Sequence, residues 1–356
     1  MNKIKLLQGG LLTVTFTFLL TIISSDISAA EYFAVPEVPC VSPPPVHCPE
    51  ANCPGEITSN LGNAIESESG RQFFLDYPCD LQPGEKVTFV LNLHGGGSIS
   101  NWQRHYFPVM DLKEKYRLVV ASPSGIVRAW VADNDDAHLQ AIVRQVYATF
   151  GEENIAAFWL AGHSQGGQTS NRLVCNEFYR ERIDGWVSLS GGRLGSKRED
   201  IRAPIPRGSV APANAPAAAP AGAPPGGGTP GLVADASILP DCEFSHIYSS
   251  GSHEVPVDKP FPDHSPWAAK LGCDTRQRQA NVVDTAAGYV FDSREQENRN
   301  AVWGLDPGPG HAEVYVYPDC DNGRIVADII RMDKGHTEGL EPRVTEEIVR
   351  LMISAQ

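Results

Sequence analysis

The chain has 356 residues, 42% of them hydrophobic and 20% charged, enough for one large domain with an extensive core. Its formal net charge is -14 and it carries no basic run, so it repels phosphate backbones, which argues against nucleic acid as a partner. Eight cysteines, an even number, suit an oxidising compartment where they pair. Cys48 and Cys53 lack the second pair that a zinc ribbon needs, so no metal site is expected, and the pairing of the eight stays open.

In chain order, residues 1–30 read as an export signal. Lys3 and Lys5 precede an apolar stretch from about Leu11 to Ile23, and Ser28-Ala29-Ala30 offers small residues for cleavage. That stretch is short for about 30 Å of hydrocarbon. The expectation is a secreted or periplasmic protein that starts near Glu31, with no membrane insertion after cleavage. Residues 31–69 form an arm rich in proline and cysteine, stapled onto a body spanning 70–356.

In that body a strand is predicted near Arg71–Tyr77, and the apolar runs Val87–Leu93 and Arg117–Ser122 suit central strands. Leu139, Ile142, Val143 and Val146 recur at helical spacing between Asp136 and Phe150, with Asp135 or Asp136 as the cap. A strand follows at Ala156–Ala161, a helix from Gln168 and another strand at Ile183–Leu189. Then 22 of the 28 residues in 203–230 are Ala, Pro or Gly, a composition that cannot bury enough apolar surface to offset its ordering entropy, so a flexible insertion is expected, with a lid as the alternative. Strands resume at Phe244–Ser249, Ala312–Tyr317 and Ile325–Met332, and a helix starts near Arg343. The alternation predicts the α/β class, a mostly parallel central sheet with helices on both faces.

The chemistry centres on "LAGHSQGGQTSNRL", residues 160–173. A short apolar strand meets a helix there, and glycines crowd around one hydroxyl. A sharp strand-to-helix turn strains its own residue and demands small neighbours, so Ser164 reads as a nucleophile on an elbow. A serine hydroxyl needs a base. His336, in "MDKGHTEG" after the last strand, lies where open parallel sheets build their sites. His163 adjoins the serine but is expected to point away from it, and His311, before a strand, is expected at the opposite edge. An acid should orient the histidine, and "SSGSHEVPVDKP" after the strand Phe244–Ser249 offers Glu254, with Asp258 as runner-up. The turn "LNLHGGGSISNW" supplies Gly95 or Gly96 as one oxyanion amide, and Gln165 supplies the other. Trp102, Trp130, Trp267 and Trp303 fall in strand-end loops and are candidates to line a substrate cleft. No cofactor is called for.

The order oxyanion loop, serine, acid, histidine resembles the α/β-hydrolase fold. More narrowly, "LNLHGGG", "VVASPSG", "WVADNDDAHL", "GHSQGGQTSNRLVC" and "DIIRMDKGH" resemble the secreted polyhydroxybutyrate depolymerase and feruloyl esterase group over residues 70–355, the insertion excluded. "GSHEVP" is similar to that group's acid loop, with Glu254 where the group has Asp. A related group that cleaves β-diketones in oxidised polyvinyl alcohol has similar organisation. The resemblance implies a secreted serine hydrolase that cleaves carboxylic esters, with polymeric esters among the candidate substrates. It also implies a Cys273–Cys320 bond close to the site. A serine peptidase on the same fold, an acyltransferase and a non-catalytic binding protein are the alternatives from other classes.

Overall fold

The computed structural model describes residues 32–41, 62–201, 235–256, 260–290 and 308–355. The expected leader 1–30, the insertion 203–230, and Cys48, Cys53, Asp258 and Trp303 lie outside the described residues.

In chain order the strands are β1 (Asn63–Ile65), β2 (Gln72–Asp76), β3 (Val87–Leu93), β4 (Leu118–Pro123), β5 (Ile155–His163), β6 (Gly185–Leu189), β7 (Ser245–Gly251), β8 (Gln277–Arg278), β9 (Val282–Val283), β10 (His311–Tyr317) and β11 (Val326–Arg331). The helices are α1 (Ser100–Tyr106), α2 (Lys113–Tyr116), α3 (Ala132–Phe150), α4 (Gln165–Leu173), α5 (Arg198–Ile201), α6 (Pro266–Lys270) and α7 (Pro342–Ser354).

Among the described residues all eleven strands join one sheet in the order β1-β2-β4-β3-β5-β6-β7-β11-β10-β8, with β9 also on β10. The run β4-β3-β5-β6-β7-β11 is parallel throughout. Antiparallel strands flank it, β2 and β1 on one side and β10, β8 and β9 on the other. Six carboxyl ends therefore meet along one end of the sheet. With an elbow after β5, this is the α/β-hydrolase fold.

Period-two alternation explains why the central strands sit where they do. Phe89, Leu91 and Leu93 of β3, with Phe158 and Leu160 of β5, enter one core beside Leu139, Ile142, Val143 and Val146 of α3. Val90, Trp159 and Ala161 enter the other, beside Tyr106 at the end of α1 and Val344, Ile348 and Met352 of α7. Each of the large aliphatic or phenylalanine side chains among these contributes roughly 1.5–3 kcal/mol of transfer free energy. Helices thus cover both faces.

Several boundaries differ from the sequence reading. The sheet begins inside the expected arm, because β1 pairs with β2. Helix α3 starts at Ala132, before both proposed caps. Asp135 lies inside it and reaches back, accepting the Val131 and Ile126 amides at 2.7 and 3.2 Å and pairing with Arg71 at 2.7 Å. Its carboxylate ties down the loop before the helix, a role that periodicity cannot show. Helix α4 starts at Gln165, directly after the serine.

The antiparallel direction of β10 brings two further corrections. His311 opens β10 and its carbonyl accepts the Met332 amide at 2.8 Å, so it stands beside the carboxyl end of β11, not at the opposite end. Cys273 and Cys320 are bonded, as the resemblance implies, but Cys320 follows the end of β10, so the bond sits away from the His336 loop. The other described bonds are Cys175–Cys242 and Cys40–Cys79. The last of these staples the arm, helped by the Phe33 amide on the Leu81 carbonyl and the Tyr77 hydroxyl on the Val38 carbonyl, both at 2.7 Å.

Candidate active site

Strand β5 delivers Ser164 in a backbone conformation of φ 51° and ψ -114°. A side chain rarely holds this geometry. Two constraints hold it here. The Ser164 amide bonds the Leu189 carbonyl of β6 at 2.8 Å, and α4 starts at once, its residue Gln168 donating to the Ser164 carbonyl at 3.1 Å. The turn is so tight that a Cβ on Gly162 would lie 2.3 Å from the Gly166 backbone. The glycine cluster is thus a steric requirement of the elbow. Gln165, first in α4, has one of the backbone amides that a helix leaves unpaired at its N-terminus, where the helix dipole favours negative charge.

The turn after β3 lies directly alongside. A Cβ built on Gly95 would be 3.4 Å from Ser164 Cβ, and one on Gly96 would be 3.3 Å from Gln165 Oε1. Gly95, Gly96 and Gln165 are therefore brought together around the serine. A buried frame supports this turn. The Gly125 amide donates to His94 Nε2 at 2.9 Å, so the ring proton is on Nδ1, which donates to the Gly95 carbonyl at 2.7 Å. Burial holds the His94 pKa down at about 4, keeping the ring neutral. The indole of Trp130 donates to the His94 carbonyl at 2.7 Å, its amide donates to Gln165 Oε1 at 3.2 Å, and the Gly97 amide bonds the Arg128 carbonyl at 2.7 Å.

His336 stands on the loop that follows β11. Arg331 organises that loop from below, donating to the Glu338 and Gly339 carbonyls at 2.9 Å each and to Glu341 Oε2 at 3.1 Å. Lys334 adds the Gly308 carbonyl at 2.7 Å and lies 3.4 Å from Glu341. Burial would raise the Glu341 pKa, but the Arg331 and Lys334 charges outweigh it and hold the group below the usual carboxylate range. The Gly335 amide donates to Glu338 Oε2 at 2.9 Å.

The acid loop is stitched to the histidine loop. The His253 amide bonds the Lys334 carbonyl at 3.0 Å and the Asp333 amide bonds Ser252 Oγ at 2.9 Å. Gly251 is needed at this seam, since a Cβ there would sit 2.1 Å from the Lys334 carbonyl. Glu254, 1% exposed, presents Oε2 to His336 Nδ1 at 2.7 Å. Its Oε1 accepts from Ser190 Oγ at 2.5 Å, Ser250 Oγ at 3.3 Å and the Gly251 amide at 3.2 Å. Of the two candidate acids, Glu254 is the one seen against the histidine, and Asp258 is not described.

Three further residues stand near His336, and two of them, Tyr106 and Ser190, are not singled out by the sequence reading. The Tyr106 hydroxyl donates to the His336 carbonyl at 3.1 Å from 230 residues away, a contact with no local signature. His163 does turn from the serine, but toward the other histidine. Its Nε2 is 2.8 Å from the His336 carbonyl, so that nitrogen carries the proton, and the two rings lie 4.6 Å apart. Ser190, directly after β6, is the third; its place at a parallel strand's carboxyl end is the signal that could have found it.

The tryptophans separate. Trp102, half-buried, stacks on Tyr106 at 4.8 Å and lies 5.8 Å from the His163 ring, at the site. Trp130 is buried against His94 and supports the turn after β3, so it is not a cleft surface. Trp267 is wholly buried on α6 and donates to the Phe244 carbonyl at 3.3 Å, at the amino end of β7. It is core, remote from the serine. Trp303 is not described.

No family model matches the chain, and no curated protein does either. Solved structures with a related arrangement include FphF, a fluorophosphonate-binding serine hydrolase of Staphylococcus aureus, at 17% identity and a TM-score of 0.31, covering 40% of this chain and 60% of that one. An acetyl xylan esterase from Aspergillus awamori is similar at 12% identity and a TM-score of 0.43, covering 81% of this chain and 98% of that one. Esterase 2 of Thermogutta terrifontis phosphonylated by sarin is similar at 16% identity and a TM-score of 0.35, covering 55% and 74%. Scores this low assign no activity to this chain.

Proposed function

We propose that this chain is a serine hydrolase that cleaves carboxylic esters through an acyl-enzyme on Ser164. The observation that carries the reading is the convergence of a strained, glycine-lined serine, a buried His336–Glu254 pair at 2.7 Å and a glycine turn beside the serine, all at the carboxyl ends of parallel strands.

In this mechanism Ser164 Oγ attacks the ester carbonyl while His336 Nε2 takes its proton. Glu254 keeps the ring in the Nδ1–H tautomer and stabilises the imidazolium that forms. The developing oxyanion is met by backbone amides of Gly95 or Gly96 and of Gln165, groups that need no reorganisation as charge appears. His336 then protonates the leaving alcohol. In the second half a water, deprotonated by His336, attacks the acyl carbonyl and releases the acid, and Ser164 recovers its proton.

The half-buried Trp102 offers an apolar face beside the site, suited to short acyl, aryl or hydroxyacyl groups, including those of a polyester or a hydroxycinnamate. The leader-like residues 1–30 and the disulfides support an exported enzyme. The test is fluorophosphonate labelling with the adduct mapped by peptide mass, beside a chain-length series of p-nitrophenyl esters, a hydroxycinnamate methyl ester, a polyester film and a peptide amide. Labelling at Ser164 with short esters faster than long-chain triglycerides is expected. Fast peptide cleavage without ester turnover overturns the esterase reading in favour of a peptidase.

A further inference from the structure

We infer that Ser190 is a positioning residue of this site: its hydroxyl fixes the Glu254 carboxylate so that the other oxygen is aimed at His336. The inference rests on the serine-hydrolase reading above. The geometry is asymmetric in the way such a role needs. Ser190 Oγ meets Glu254 Oε1 at 2.5 Å, against 3.3 Å for Ser250 and 3.2 Å for the Gly251 amide, while Oε2 meets His336 Nδ1 at 2.7 Å. A hydrogen bond to an ionised oxygen is short and strong, and here both partners are buried.

Ser190 has φ 55°, a left-handed conformation that glycine adopts freely and serine does not. The next two residues are Gly191 and Gly192, yet position 190 itself carries a side chain. The conformation is held from both sides. The Ser190 amide bonds the Ser249 carbonyl at 2.8 Å, and buried Arg193, three residues on, clamps Asp328 of β11 with two contacts of 2.8 Å. An unfavourable backbone held this firmly, with its hydroxyl on the acid, points to orientation as its use. Glutamate has one more rotatable bond than aspartate, and three donors on one oxygen offset that freedom.

The experiment measures kcat and KM for a p-nitrophenyl ester in Ser190→Ala and Ser190→Gly, each also in the Glu254→Ala background, with unfolding temperatures and wild-type fluorophosphonate labelling alongside. A small misplacement of a catalytic group reduces rate on the order of 10- to 100-fold. The expected result is that loss in kcat for both variants, with KM within about twofold of wild type. Ser190→Gly should unfold no lower than wild type, because glycine suits this φ. In Glu254→Ala the second substitution should change kcat by less than about twofold, since a residue acting through the carboxylate has nothing left to act on. Full kcat in either single variant, or losses that multiply in the Glu254→Ala background, overturns the role of Ser190 alone. A wild-type protein unlabelled at Ser164 overturns the hydrolase reading and this inference with it.

Discussion

The elbow and the glycine turn beside it are built mainly by backbone, and the histidine and acid loops, apart from the Gly251 seam between them, mainly by side chains. At the elbow, positions are set by how closely chains pass: the Gly162–Gly166 approach, the Ser164 amide on β6, the start of α4. Around His336 they are set by Arg331, Lys334, Tyr106, His163, Ser190 and Ser250, polar groups drawn from separate elements. Backbone-built geometry should therefore fail all at once when a Cβ intrudes, whereas side-chain-built geometry should fail by degrees.

The largest expected effect removes chemistry from the backbone-built half without touching its shape. Ser164→Ala should lower kcat by several orders of magnitude with an unchanged unfolding transition; retained acyl-enzyme formation on another residue sinks the mechanism. Glu254→Gln keeps size and removes charge, leaving the tautomer and imidazolium of His336 unsupported, and should cost about 10²–10⁴ in kcat. Activity near wild type there means that another carboxylate serves His336.

Stability measurements sharpen the contrast. Gly162→Ala should be among the most destabilising single methyl additions in the molecule, above about 4 kcal/mol in urea unfolding, because its Cβ meets backbone that cannot move aside. A cost below about 1 kcal/mol shows that the elbow can relax. Arg331→Met, which leaves buried Glu341 with Lys334 alone, should cost about 3–5 kcal/mol and disturb the His336 loop.

The smallest expected effect lies where the two halves differ least, at His94, a side chain inside the backbone-built half. Its folded pKa of about 4 is below the ordinary 6.5, so between these values the unfolded chain binds the extra proton. Its contribution is complete above about pH 6.5 and declines as pH falls toward 4, by on the order of 1.4 kcal/mol for each pH step across that window. His94→Gln should flatten the acid-side fall in unfolding free energy by a few kcal/mol; an identical slope places the proton uptake elsewhere.

The same division decides what can be read from sequence. Close backbone approach forces glycine, and glycine is visible, so the Ser164 elbow and the Gly95–Gly96 turn stand out from composition alone. Apolar runs likewise mark β3, β4 and β5. Contacts between side chains on separate elements leave no local periodicity, which is why Tyr106 is silent in the sequence, Ser190 is marked only by its place after a strand, and Trp267 reads there as a cleft residue. Direction misleads as well: β10 runs antiparallel, so order along the chain alone assigns its loops to the wrong end of the sheet, His311 among them. Asp135 is recognisable as a helix-start residue, but the helix begins before it because its carboxylate reaches backwards.

The Tyr106–His336 contact also bears on time. It joins groups 230 residues apart in sequence, and closing so long a loop carries an entropic cost that must be met before the bond contributes anything. The His336 loop also waits for β11 to dock on β7 and for Gly251 to meet the Lys334 carbonyl. On refolding, helical signal from α3, whose backbone hydrogen bonds are local, should return before turnover of a p-nitrophenyl ester does.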